Sequence, residues 1–169
     1  MSKAIDRSSI EVLTFSLDGQ VFALPACYVR EILDLVPVTE VPASTPFANG
    51  LINVRGKIVP LADLRHKLGM ERRPPNIDTR IVVIEIDLKG TLTAIGIIAE
   101  KVHEVTGIAA SAIEETPKVG IVWRQEYIRC IGKRSDDFVI VLDMPTIFAS
   151  ALRQKSEFCD SSKHEKKAA

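Results

Sequence analysis

The sequence predicts a mostly β protein built from two similar lobes. Short apolar runs that alternate with polar residues, or are rich in β-branched residues, recur along the chain with turn residues between them, and only two segments have a helical pattern. The motif at residues 29–32 also recurs at residues 102–105. With 169 residues and 46% hydrophobic content, the chain can form one domain with a real core or two small lobes that share one. The predicted class is therefore all-β.

The predicted strands begin with a β-hairpin. Apolar and polar residues alternate over residues 13–17, and Asp18-Gly19 has the composition of a hairpin turn before residues 20–24. Apolar runs bounded by turn or breaker residues then predict further strands, at residues 29–41, 51–54, 58–61, 80–87, 92–99, 127–131 and 138–142.

Two segments are predicted to be helical. The first, residues 63–69, begins at an aspartate that can cap the first turn, carries basic residues in its last turn and ends at a glycine. The second begins near Asp143, has Pro145 in its first turn and places Phe148 on an apolar face. We therefore expect short helices and a C-terminal helix of about residues 144–155.

An internal repeat predicts how the chain divides. Residues 29–32 are repeated at residues 102–105, and residues 51–56 resemble residues 127–132. Each half also ends with an apolar strand that runs into an aspartate-capped helix. The junction falls in residues 71–79, because two prolines there cannot continue the interior of a sheet. We expect an N-terminal tail (1–10), one domain (11–158) with a first lobe at about 11–70 and a second at about 80–150, and a polar, disordered tail (159–169).

The charge balance argues against several classes of partner. Twenty-two basic residues balance twenty-two acidic ones, so no overall field attracts nucleic acid or an anionic membrane. The N-terminus lacks the apolar core of a signal peptide, and the apolar runs are too short to span a bilayer. We expect a cytoplasmic protein that neither binds nucleic acid nor inserts into a membrane.

The sequence offers no convincing set of catalytic or cofactor-binding groups. The glycines form no phosphate-binding loop, and the three histidines are not spaced as metal ligands. The three cysteines form no C-x-x-C pair, so they predict neither a disulfide framework nor a zinc site. We expect no enzyme, cofactor or metal; a thiol-dependent enzyme using Cys27, with His66 or His103 as base, is kept as the alternative from another class.

One cation has no evident structural purpose. Arg55-Gly56 joins two apolar runs, and glycine is well suited to a hairpin turn there. The echoed position of Arg55 is Ile131, so the lobe itself does not require a cation at this place. A guanidinium at a rigid strand end suits a carboxylate or backbone carbonyls on another protein, and recognition and a solvated turn remain equal interpretations.

Two stretches give the sequence a specific resemblance. FSLDGQVFALPACYVREIL and the later VTEVPASTPFANGLINVRGKIVPLADLRHKLG resemble the CheW-like family, the coupling proteins of bacterial chemotaxis arrays. The resemblance covers residues 11–152. The features that carry it are Val29-x-Glu31-Ile32, Pro42, Pro46 with Phe47, Gly50 to Asn53, Arg55-Gly56, Pro60, Asp63-Leu64-Arg65, Gly96-Ile97, Val102 and Leu142-Asp143.

The resemblance implies a fold and a function. The fold is two five-stranded, SH3-like β-barrel subdomains around a shared hydrophobic core. The function is a non-enzymatic adaptor that couples the cytoplasmic tip of chemoreceptors (methyl-accepting chemotaxis proteins) to the regulatory domain of the histidine kinase CheA. Such a protein is recruited to membrane-associated receptor arrays, where CheW-like domains can assemble into rings.

The resemblance also implies which residues face the receptor. These are Val29, Glu31, Gly50, Arg55, Val102 and Val105. The kinase-facing surface corresponds to apolar loops at the end of the second lobe and is not assigned to residues. We expect an apolar groove lined by Val29, Ile32, Val102 and Val105, with Arg55 at its edge, to receive a helical tip; ordinary core packing is the alternative for the valines.

Several related functions stay open on the sequence. One is an adaptor of a chemotaxis-like pathway that controls pili, surface motility or gene expression. Others are a free-standing regulatory domain of a kinase, for which no ATP-binding segment is present, and a module fused to a receiver domain, for which no βα-repeat is present. The last of these open functions is a β scaffold that only self-associates.

Overall fold

The computed structural model describes residues 8–42, 47–48, 50–117 and 125–150. Twelve strands are present in this part of the chain. They are β1 (Ile10–Leu17), β2 (Gln20–Pro25), β3 (Val29–Asp34), β4 (Thr39–Glu40), β5 (Gly50–Val54), β6 (Lys57–Ala62), β7 (Arg80–Leu88), β8 (Thr91–Ala99), β9 (Lys101–Ile108), β10 (Ile113–Glu114), β11 (Ile128–Arg134) and β12 (Asp137–Leu142). The all-β class is confirmed.

Helices are short in the described residues. Helix α1 is Leu64–Lys67, helix α2 occupies residues 144–150, and single 3-10 turns lie at Ala26–Tyr28, Ala110–Ala112 and Gln125–Tyr127. Asp63 caps α1 by accepting the backbone N–H of Arg65, and Asp143 caps α2 by accepting that of Thr146. Both predicted helix starts are confirmed. The remainder of the predicted C-terminal helix, and residues 159–169, lie outside the described residues.

The strands form two six-stranded sheets. Sheet A has the order β10-β11-β12-β2-β1-β9, and sheet B has the order β3-β7-β8-β6-β5-β4. The prediction was five strands in each, and the difference is the two-residue strands β4 and β10 at the outer edges. The two orders are equivalent when β1–β6 are matched with β7–β12, so the internal repeat seen in the sequence is present in the topology.

The two repeats exchange their hairpins. The β1–β2 hairpin joins β9–β12 in sheet A, and the β7–β8 hairpin joins β3–β6 in sheet B, through the parallel pairs β12–β2 and β6–β8. The predicted lobes of residues 11–70 and 80–150 therefore do not correspond to the sheets, since each sheet takes strands from both sides of residues 71–79. Local sequence patterns predict where strands lie, but they do not predict which distant strands pair with one another.

The apolar side chains form three clusters. The central cluster contains residues of both sheets and both helices, including Phe15 and Phe22 from sheet A and Ile84 and Ile97 from sheet B. Two smaller clusters each belong to one sheet and lie inside its curl. The expected shared core of two SH3-like barrels is therefore confirmed.

Candidate functional site

The predicted apolar residues lie on the two outer strands β3 and β9. On β3, Val29 pairs with Ile84 and Ile32 with Val82; both partners belong to the central cluster. On β9, the corresponding partners are Phe15 for Val102 and Leu13 for Val105, again in the central cluster. These four predicted residues thus extend the shared core to one edge of each sheet, where Val29 and Val102 are half-buried and Ile32 and Val105 are exposed.

A β-bulge places each of these pairs on one side of its strand. Side chains alternate along a strand, so residues three apart normally point to opposite faces. Val29 and Ile32 are three apart but oppose residues of β7 that are two apart, so β3 contains one extra residue. Val102 and Val105 have the same relation to β1. The apolar spacing is visible in the sequence, but the bulges that turn both residues to one face are not.

Arg55 lies in the tight turn between β5 and β6. Its φ is 52° and that of Gly56 is 82°, and the Gly56 N–H donates to Asn53 Oδ1 at 2.8 Å. A left-handed conformation at both turn residues matches the twist of the flanking strands, and asparagine or glycine adopts it more easily than arginine does. The backbone of this turn thus gives no reason for an arginine.

A second turn of the protein supports the same point. Lys89 and Gly90, between β7 and β8, have φ angles of 53° and 82°, and the Gly90 N–H donates to Asp87 Oδ1 at 2.7 Å. This turn has the same geometry as the Arg55 turn with a different long side chain. The special feature of Arg55 is therefore what its guanidinium contacts.

The Arg55 guanidinium bonds to an edge strand. Its Nη2 donates to Glu31 Oε1 of β3 at 2.8 Å, with 81% of the Arg55 side chain and 25% of the Glu31 side chain exposed. The sheet order separates β3 from β5 and β6, so this bond spans the curl of sheet B. An ion pair this exposed contributes little to stability, about 0–1 kcal/mol. It does hold a cation at the edge strand β3, where Glu31 pairs with Val83 and so lies on the face opposite to Val29 and Ile32.

The second repeat contains an equivalent ion pair. Arg134, at the end of β11, bonds to Glu104 of β9. Glu104 occupies the same place in the repeated motif as Glu31, so each edge strand carries a glutamate paired with an arginine near a hairpin turn. This pair was not predicted from the sequence, although the repeated glutamate was a signal for it.

The register of the repeat corrects one sequence comparison. Val54 and Lys57 flank the turn of Arg55, and Arg134 and Asp137 flank the equivalent turn of sheet A. The structural counterpart of Arg55 is therefore Ser135, four residues beyond the Ile131 that the sequence echo matched. The conclusion that the fold does not require a cation at this place still holds, since serine stands there.

Gly50 lies at the start of β5, away from the two bulged edges. A Cβ atom built on Gly50 would lie 2.5 Å from Cγ1 of Val38, in the segment that precedes β4. The absence of a side chain thus lets this segment pack closely on sheet B. No other observation connects Gly50 with the edge residues, and its role in binding stays a prediction.

Among the described residues, no hydrogen bond joins a histidine to a cysteine side chain. Cys27 is exposed, whereas His103 Nε2 lies 2.6 Å from the Ser16 hydroxyl on sheet A. Burial raises the pKa of the Cys130 thiol, which suits a structural cysteine. The described residues hold no group of three or more His, Cys, Asp or Glu side chains placed to bind a metal ion. Among them, no helix has the length and apolarity needed to cross a membrane.

These features define a class of protein. Two curled sheets carry a candidate site made of apolar edge residues and an exposed, oriented cation, and such surfaces recognise other proteins. The chain belongs to the family described as the CheW-like domain, whose model matches residues 11–152. The resemblance seen in the sequence is thereby confirmed, and the protein is a CheW-like scaffold.

Individual relatives agree with this membership. The chain is 24% identical over 147 residues to the "Probable chemotaxis protein CheW" of Rhizobium etli, covering 87% of this chain and 92% of that protein. It is 31% identical to the crystal structure of "scaffolding protein TtCheW" from Thermoanaerobacter tengcongensis, with a TM-score of 0.72 over 82% of this chain and 92% of that one. A shorter similarity, 34% over 71 residues, is to "Protein PilI" of Pseudomonas aeruginosa, covering 42% of this chain and 40% of that protein.

Proposed function

We propose that this protein is a non-enzymatic adaptor that couples chemoreceptors to the histidine kinase CheA in chemotaxis signalling. Family membership over residues 11–152 supports the pathway. The observation that carries the receptor contact is the 81% exposed Arg55 side chain, held by Glu31 at the edge strand β3 that also carries Val29 and Ile32. In this proposal the receptor recruits the protein to membrane-associated arrays.

The receptor side combines apolar area with one directed charge. Val29 and Ile32 on β3, and Val102 and Val105 on β9, offer apolar side chains that continue from the central cluster, and a helical receptor tip can bury them. Arginine has five N–H donors, and among the described residues the guanidinium of Arg55 bonds only to Glu31. The remaining donors are available to a carboxylate or to carbonyls at the end of a helix.

The kinase side is proposed on strands β2, β11 and β12 of sheet A. Phe138 is 61% exposed there, beside Val21 and the half-buried Ile131 and Ile140, in a concave surface with charged residues at its rim. A large exposed aromatic surrounded by apolar neighbours has the composition of an interface anchor. Its position at the end of the second repeat agrees with the kinase-facing surface that the resemblance implies.

Replacing Arg55 by Glu tests the receptor contact. We expect the variant to stay folded with a nearly unchanged melting temperature, because the Arg55–Glu31 pair is exposed. We expect its affinity for a receptor cytoplasmic fragment to fall by about 2 kcal/mol or more, as at an interface hot spot. Titration of the fragment, followed by calorimetry or fluorescence, measures this loss.

Lys89→Glu is the matched control, because Lys89 has the same turn geometry and the same change of charge. It should leave the receptor affinity unchanged. A reciprocal variant, Phe138→Ser, should keep the receptor affinity and lose affinity for the kinase regulatory domain. Equal weakening by the Arg55 and Lys89 variants, or a wild-type protein that cannot bind receptor fragment and kinase together, would contradict the proposal.

A second pathway is retained on one observation. The similarity to Protein PilI extends over 71 residues and concerns a relative that is not named as a chemotaxis protein. A CheW-like adaptor of a chemotaxis-like pathway that controls pili, surface motility or gene expression would use the same two surfaces. Pull-down of the receptor and kinase from the organism's own lysate, followed by their identification, separates the two pathways.

A further inference from the structure

The bulge in β9 decides where two proposed receptor-binding residues point. Val102 and Val105 oppose Phe15 and Leu13 of β1, and the three-residue step on β9 faces a two-residue step on β1. Without the extra residue, one of the two valines would turn away from the central cluster. The edge therefore presents both valines together only while the bulge is maintained.

Thr14 is the residue of β1 that faces this bulge from inside the barrel. It is fully buried, and its hydroxyl donates to the Glu104 carbonyl oxygen at 3.1 Å and accepts from the Glu104 N–H at 3.3 Å. A hydroxyl can do both at once, which no apolar side chain can. Thr14 thus supplies, from a side chain, the two bonds that the interrupted strand pairing does not give to Glu104.

The equivalent bulge in β3 is held differently. Val83 occupies the position of Thr14 there, inside the cluster of sheet B. The extra residue Arg30 is held instead by its own side chain, which bonds to Glu85 Oε1 at 3.1 Å and to the Cys27 carbonyl at 3.4 Å. The fold therefore does not require a threonine at this position.

The side chain of the corresponding residue in β9 makes fewer bonds. His103 takes the place of Arg30, and its ring bonds only to the Ser16 hydroxyl among the described residues, at 2.6 Å. Arginine in β3 makes contacts with two groups, whereas His103 makes one. The bulge of β9 is consequently the one that depends on an internal hydroxyl.

We infer that Thr14 is a positioning residue for receptor binding: by bonding both backbone groups of Glu104 it maintains the β9 bulge that turns Val102 and Val105 to the same side. This inference rests on the proposed function. Thr14 is buried and touches no partner itself. Thr14 does not itself line the concave surface around Phe138, so we expect its replacement to affect kinase binding much less than receptor binding.

Two variants of Thr14 separate positioning from general stability. Thr14→Val keeps the volume and copies the residue of the other repeat, but removes the hydroxyl. Thr14→Ser keeps the hydroxyl and removes a buried methyl group. We expect the valine variant to bind a receptor cytoplasmic fragment about tenfold more weakly, and the serine variant to bind within about twofold of wild type although it is less stable.

Thr79→Val is the matched control. Thr79 is also buried, and its hydroxyl accepts the Asn76 N–H at 2.8 Å, so the same chemical change is made far from β9. Its receptor affinity should equal that of wild type, and all three variants should bind the kinase regulatory domain normally. Equal receptor affinity of the Thr14→Val variant and wild type, or equal weakening by the valine and serine variants, would overturn the inference.

Hydrogen exchange of the folded protein gives an independent readout. The Glu104 amide should exchange at least about tenfold faster in the valine variant and be protected in the serine variant. Unchanged protection of this amide in the valine variant would also overturn the inference. If the wild-type protein binds no receptor fragment, the proposed function fails, and the exchange rates still decide whether Thr14 holds the bulge.

Discussion

Helices α1 and α2 follow the equivalent strands β6 and β12, but side chains bond them to the rest of the fold differently. The N–H of Asp63 donates to the Phe47 carbonyl and that of Asp143 to the Tyr127 carbonyl, both at 2.8 Å, so both helices begin in the same way. The second helical residue then differs, since it is Arg65 in α1 and a proline in α2. Equivalent backbones in the two repeats thus carry unlike side chains at one position.

Arg65 links α1 to other parts of the fold. Its guanidinium donates to both oxygens of Asp63 at 2.9 Å, to Glu100 Oε1 at 3.1 Å and to the Arg73 carbonyl at 3.3 Å. The Asp63 hydrogen bond raises the pKa of Arg65 despite its burial. Glu100 is the single residue between β8 of sheet B and β9 of sheet A. The first helix is therefore bonded to a crossover between the sheets, in addition to its apolar packing.

The largest expected effect comes from removing this guanidinium. Arg65→Met should lower the free energy of unfolding by about 3 kcal/mol, because it leaves the buried Asp63 carboxylate without its main partner. Pro145→Ala at the matched position of α2 should change it by less than about 1 kcal/mol. Urea unfolding of both variants measures the difference. Equal effects would mean that the ion pair does not distinguish the two helices.

Two glycines extend the comparison to the sheets. A Cβ on Gly132 of sheet A would lie 2.6 Å from Ile108 Cδ1, and Ile108 is 5% exposed. A Cβ on Gly50 of sheet B would lie 2.5 Å from Val38 Cγ1, but Val38 is 41% exposed and has space to move. The same substitution therefore meets a fixed neighbour in sheet A and an adjustable one in sheet B.

Gly132→Ala should consequently destabilise the protein by about 1–3 kcal/mol, as overpacking does in a core. Gly50→Ala should cost less than about 1 kcal/mol, since Val38 can shift and alanine restricts the unfolded chain more than glycine does. Thermal unfolding of the two variants checks the order. A larger loss in the Gly50 variant would show that the segment before β4 is held more firmly than its exposure indicates.

Local patterns predicted most of the elements. Asp18-Gly19 gave the first hairpin, Asp63 and Asp143 gave the helix starts, and β-branched runs gave most of the long strands, because each of these signals depends on neighbours in sequence. Strand β9 was not among the predicted strands, and the single run predicted at residues 29–41 is divided into β3 and β4. The exchange of hairpins was not predictable in this way. It depends on the pairing of β2 with β12, which are more than a hundred residues apart in the chain.

The candidate site was predictable in composition but not in geometry. The repeated motif located Val29, Glu31 and their counterparts, since a short echo is visible in the sequence. The bulges, the Arg134–Glu104 pair and the contribution of Thr14 depend on strand register, which a single sequence does not report. The roles of the predicted residues in receptor binding stay predictions.

The smallest expected effect is a pH dependence of stability that arises in α1 and has no counterpart at the same position of α2. Burial lowers the pKa of His66 on α1 below its ordinary value of 6.5, with further lowering by Arg72 and Lys67 and an opposing effect of Asp63. The unfolded chain therefore binds this proton more readily than the folded protein does. The His66 contribution to stability is constant above pH 6.5 and is lost as the pH falls below it.

His66→Gln should remove this part of the pH dependence, because glutamine does not titrate. The variant then resembles α2, which carries the non-titrating Thr146 at the same position. The variant and the wild type should differ by a constant amount at neutral and higher pH, and the variant should gain stability relative to the wild type as the pH falls below 6.5. Urea unfolding at a series of pH values measures this difference. Parallel curves over the whole range would mean that His66 binds its proton equally well in the folded and unfolded states.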